Sequence, residues 1–65
     1  MIAIEVSGSI QAREFASDLN QAFLMKDTAI SKLKRAGFRI YRQGQFLWDA
    51  VSSTESVSME ITQGV

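Results

Sequence analysis

The sequence predicts a small α+β fold of one strand, two helices, a β-hairpin and a C-terminal strand, in a single domain spanning residues 1–65. Three observations predict it. Apolar residues alternate near both ends of the chain, they recur at helical spacing between residues 11 and 36, and Gly37 stands where the helical period gives way to alternation again.

The opening "IAIEVS" sets Ile2, Ile4 and Val6 on one face and Ala3, Glu5 and Ser7 on the other, the period of a half-buried strand. Ser7-Gly8-Ser9 interrupts it. From Gln11 the spacing turns helical: at 100° per residue Ala12, Phe15, Ala16, Leu19, Ala22 and Phe23 share an arc of about 120°, with Ser9 as the expected N-cap. A second helix is expected to start at Asp27 or Thr28, to bury Ala29, Ile30, Leu33 and Ala36, and to close at Gly37 in the left-handed conformation. Lys32, Lys34 and Arg35 suit the negative end of its dipole. Phe38 and Ile40, then Phe46 and Trp48, alternate on either side of Gln43-Gly44-Gln45, which reads as a hairpin. "SSTES" reads as a mobile link, and Val57, Met59 and Ile61 form the apolar face of a last strand able to pair with the first. Phe15, Leu19, Ile30 and Leu33 are expected in the core, and Trp48 and Tyr41 in the core or a dimer contact.

A chain of 65 residues buries only about 60% of the surface its unfolded form exposes. It has no Cys and no His, so neither a disulfide nor the usual zinc ligands reinforce the core, and a homodimer is the expected assembly. The same two absences remove the Ser-His-Asp triad, a thiol nucleophile and a standard zinc site, and the carboxylates show no metal-ligand spacing. The glycines form neither a dinucleotide fingerprint nor a phosphate loop. No enzyme, no metal and no cofactor is expected. No apolar run reaches the roughly 20 residues of a membrane helix, and the first residues lack signal-peptide character, which makes the cytoplasm the expected compartment.

The net charge of zero is unevenly placed. Arg13 against Glu5, Glu14 and Asp18 leaves residues 1–25 at −2. Lys26, Lys32, Lys34, Arg35, Arg39 and Arg42 against Asp27 bring residues 26–42 to +5. Asp49, Glu55 and Glu60 leave residues 43–65 at −3. A basic middle of this kind suits phosphate.

The run "AREFASDLNQAFLMKDTAISKLKRAGFRIYRQGQFLW" resembles the winged helix-turn-helix of biotin-ligase repressors and small phage regulators. Phe15 and Leu19 form its first apolar pair and Asn20 the turn; Ile30 and Leu33 lie on the next helix, and Gly37 precedes a hairpin. The resemblance places a helix-turn-helix at 11–37 and a wing at 38–51. It implies a DNA-binding transcriptional regulator of phage or prophage type, whose second helix enters the major groove of double-stranded DNA. Thr28, Ser31, Lys32, Lys34 and Arg35 then face the groove, and Arg39, Arg42, Gln43 and Gln45, at or near the wing, meet the backbone or minor groove.

Two alternatives stay open. With no Gly or Pro between residues 10 and 36, one continuous helix also fits, aligning Phe15, Leu19, Ala22, Ala29 and Leu33 with Lys26 in the seam. The protein is then a small dimeric protein-interaction module, an antirepressor or an inhibitor of a host protein, without DNA binding.

Overall fold

The computed structural model of the chain describes residues 1–63. Alternation in the first residues gives β1 (Ile2–Gly8), which turns at Gly8 and Ser9 into β2 (Ala12–Ala16). Helix α1 (Leu19–Arg35) follows, then β3 (Arg39–Gln43), β4 (Leu47–Val51) and β5 (Ser56–Gln63). The five strands form one antiparallel sheet in the order β2-β1-β5-β4-β3.

The class is α+β, but the winged helix-turn-helix arrangement is not the fold: the described residues form one helix where two were expected, and they are mostly sheet. Residues 11–37 contain no helix-turn-helix. Their first part, Ala12–Ala16, is a strand in spite of its helical apolar spacing, because β1 supplies a ladder from Ile2↔Ala16 to Val6↔Ala12. Ser9 caps nothing; its hydroxyl bonds the Glu55 carboxylate. The N-cap is Asp18, whose backbone is extended and whose side chain accepts from Gln21 N at 2.8 Å, while Gln21 Oε1 accepts from Ser17 N at 2.7 Å. Asp18 and Gln21 thus act as a variant of the reciprocal capping box.

No break occurs at Asp27 and Thr28. The Thr28 hydroxyl donates to Leu24 O at 2.9 Å, one turn back, so a residue suited to capping is accommodated inside the helix. The continuous alternative was also too long, since the helix covers Leu19–Arg35 and not residues 10–36. Gly37 closes it with φ +93, as expected, and Phe38 N donates to Leu33 O at 2.9 Å.

The hairpin expected over 38–51 is present as β3 and β4, built into the sheet and not standing free as a wing. A register shift between Ile40 and Arg42 makes a bulge in β3. The "SSTES" segment is a tight, bonded turn: Ser52 N donates to Glu55 O at 2.8 Å, and Ser52 Oγ accepts from Glu55 N at 3.2 Å. Gly8, with φ +118, lies against this turn so closely that a Cβ there would stand 2.6 Å from Ser56 O.

One face of the sheet carries the core. Ile2, Ile4, Trp48, Val57, Met59 and Ile61 are buried against Ala22 and Ile30 of α1. Leu19 and Leu33 pack at its margin, whereas Phe15, expected inside, is 55% exposed on the opposite face beside Ala3. Tyr41 is exposed as well. That open face is polar and opposes Glu5 to Glu60 in register. Arg13 Nε donates to Glu5 Oε1 at 3.0 Å and offsets the repulsion of that pair.

Candidate functional site

The chain between β2 and β3 has to pass from one edge of the sheet to the other, and α1 makes that crossing. Seventeen residues give it a length of about 26 Å. Running across the strands, the helix with its side chains covers about 10–12 Å of their length, whereas the eight residues of β5 extend about 26 Å. One helix therefore leaves part of the apolar sheet face uncovered.

Helix α1 buries Ala22, Lys26 and Ile30 along one line. Lys26 is the only buried charged side chain among the described residues. Its aliphatic stem runs through the core margin, and its ammonium donates to Gly44 O at 2.7 Å and Gln45 O at 3.0 Å in the β3–β4 turn. Phe23 meets Phe46 beside it, with ring centroids 5.7 Å apart. These contacts tie the middle of α1 toward the β3–β4 side.

The uncovered part lies on the other flank, between α1 and the β1–β2 hairpin, as a groove of about 550 Å³. Val6, Val57 and Trp48 form its floor, and Leu24, Met25 and Ala29 belong to its helical wall. Ile10 makes a lip, 54% exposed, and Leu24 is 67% exposed. The rim is polar and charged with opposite signs: Glu14 stands on β2, and Gln21, Thr28 and Lys32 stand on the helix. Trp48 is 1% exposed and its Nε1–H has no acceptor among the described residues, a deficit that costs about 1–3 kcal/mol.

The residues expected to face DNA separate into three places. Thr28, Ser31, Lys32, Lys34 and Arg35 are exposed on α1, and Thr28 and Lys32 also border the groove. Arg39, Arg42 and Gln43 are exposed on β3, at the edge of the sheet, and Arg42 Nη1 lies 3.5 Å from Asp49 Oδ2. Gln45 is in the β3–β4 turn, where its carbonyl receives Lys26. Among the described residues there is no second helix to present the first set as a recognition element.

The groove residues Ile10, Leu24, Met25 and Val57 did not stand out as a site in the sequence. Leu24 offered a signal: at 100° per residue it lies about 160° from Lys26 and so opposes the buried line of the helix. Comparison with protein-family models, curated proteins and solved structures finds no match to this chain. Among the described residues no helix is long and apolar enough to cross a membrane.

The Lys26 contacts make a local prediction. Lys26→Met keeps the packed stem and removes the two ammonium bonds, so the Gly44 amide, which closes the turn by donating to Leu47 O at 2.8 Å, will exchange faster with deuterium. Lys26→Ala loses the stem as well and will cost about 2–3 kcal/mol in urea unfolding. Unchanged exchange at Gly44 in Lys26→Met would show that the ammonium does not hold the turn.

Proposed function

We propose that the chain is a cytoplasmic protein-interaction module, not an enzyme, which takes an amphipathic helix of a partner protein into the groove between α1 and the β1–β2 hairpin. The exposed apolar groove carries this reading. In a domain this small, Leu24 and Ile10 at the surface beside a partly uncovered sheet face are a cost in solubility that a bound apolar stripe would offset.

The dimensions and charges of the groove define the occupant. Its helical wall runs from Gln21 to Leu33, a rise of about 18 Å, which matches three to four turns of a docked helix. Lys32 on the helical wall calls for an acidic residue at one place on that helix, and Glu14 across the groove calls for a basic one at another.

The test uses a synthetic amphipathic helix of about four turns with a leucine stripe, an acidic residue placed for Lys32 and a basic residue placed for Glu14. Trp48 is the only tryptophan of the chain and lies on the groove floor, so binding will shift its emission. Leu24→Glu will weaken binding by about tenfold to a hundredfold while leaving the circular dichroism unchanged. Equal binding by wild type and Leu24→Glu would reject the groove, and equal binding of a peptide with the two charges exchanged would reject the proposed orientation.

A second reading, binding to the phosphate backbone of double-stranded DNA, is favoured by a separate observation. Lys32, Lys34, Arg35 and Arg39 are exposed and make no ion pair among the described residues, in contrast to Arg13 and Arg42. If all four neutralise phosphates, the logarithm of the binding constant will fall against the logarithm of salt concentration with a slope of about −3.6. Lys32→Ala with Arg35→Ala will reduce the slope to about −1.8. Absent or salt-insensitive binding in a fluorescence titration against random duplex would exclude this reading.

A further inference from the structure

The two edges of the sheet are treated differently. The β3 edge carries Arg39 and Arg42 and is kinked by the bulge between Ile40 and Arg42, features that discourage another strand from adding there. The β2 edge has no bulge, and of its two charged residues Arg13 is paired with Glu5 on the neighbouring strand. Ala12–Ala16 pairs with β1 without a register shift, contains no Pro or Gly, and leaves its outer backbone groups without a neighbouring strand. Beside that edge Phe15 stands 55% exposed on the open face, where its neighbour on β1 is only Ala3.

We infer that β2 pairs antiparallel with β2 of a second copy of this chain, joining two five-stranded sheets into one of ten strands, with Phe15 on the two-fold axis. This goes beyond the groove reading and does not depend on it, since the groove lies on the helix-bearing face and the interface runs along a sheet edge.

The side chains select both occupant and register. In a symmetric antiparallel pair the residue on the axis faces its own copy. Centring the axis on Arg13 opposes two arginines, and centring it on Glu14 opposes two glutamates. Centring it on Ala16 sets Glu14 against Asp18 of the second copy. Centring it on Phe15 brings the two rings together, sets Glu14 against Ala16 and Arg13 against Ser17, and opposes no like charges. The two-fold is perpendicular to the sheet, so both helices stay on one face and both Phe15 rings on the other. A second copy provides a ladder partner, a ring for Phe15 and a compatible charge pattern together.

Sedimentation equilibrium and cysteine cross-linking test this, the chain having no cysteine of its own. The wild type will sediment at twice 7.2 kDa. Phe15→Lys, which sets like charges on the axis at an exposed position, will sediment as a monomer with an unchanged circular dichroism spectrum. Chains carrying Arg13→Cys and chains carrying Ser17→Cys will form a disulfide when mixed and oxidised, with the ring retained, because opposed residues have Cα atoms about 4.5–5.5 Å apart. Neither will cross-link alone.

Three results would overturn the inference: a wild type that is monomeric at every concentration, a dimer that survives Phe15→Lys, or cross-linking by Arg13→Cys alone, which marks the Arg13-centred register. A dimer split by Leu24→Glu and untouched by Phe15→Lys also overturns it and assigns self-association to the groove.

Discussion

The fold depends on β5 being paired along both of its sides. It takes β1 from Ile2↔Gln63 to Gly8↔Val57, and β4 from Leu47↔Glu60 to Val51↔Ser56. Everything before it is a pair of separate hairpins, β1–β2 and β3–β4, connected by a helix. An isolated two-stranded hairpin is marginal in water, so neither half has a core until β5 enters between them. Val57, Met59 and Ile61 then complete the apolar face that Ile2, Ile4, Trp48 and Ala50 begin.

That placement of β5 dictates the rest. With β1 and β4 drawn to the centre, β2 and β3 become the two edges, and the segment joining them must cross the sheet. An unbroken α1 makes the crossing and leaves one flank open because its diameter is less than the length of the strands it crosses. The open flank falls on the β1–β2 side since Lys26 and Phe23 bind the helix toward the β3–β4 turn. The groove is a geometric result of five strands and one helix, and its apolar lining is what chemistry the sequence adds. Edge protection is likewise divided: the bulge falls on β3, whereas β2 keeps a straight ladder and an exposed ring.

Strands with an unambiguous period of two were legible from residue types. The alternating faces of β1, of Trp48 in β4 and of β5 lie as the pattern indicates, and Gly37 ends the helix for the stated steric reason. The middle was not legible, for a physical reason. In "AREFA" the apolar spacing of Ala12, Phe15 and Ala16 is that of a helix, and the strand was imposed by a ladder to β1 that no local pattern reports. Asp18 and Gln21 compete as helix-start signals with Ser9 and with Asp27-Thr28, and only the first pair meets a backbone free to be capped. Lys26 looked like an interruption of the apolar line. Two carbonyls eighteen and nineteen residues further along the chain make it part of that line. The groove was legible only through Leu24, once the helix is known to be continuous.

Native-state hydrogen exchange tests the central role of β5 most directly. If β5 unites the sheet, the amides of Val57, Met59 and Ile61 and their ladder partners in β1 and β4 will exchange only through global unfolding, with the free energy found by urea denaturation. Amides of α1 will then be no better protected than these. Should β5 exchange through a local opening while β3 and β4 stay protected, the hairpins would stand without their shared strand, contrary to this account.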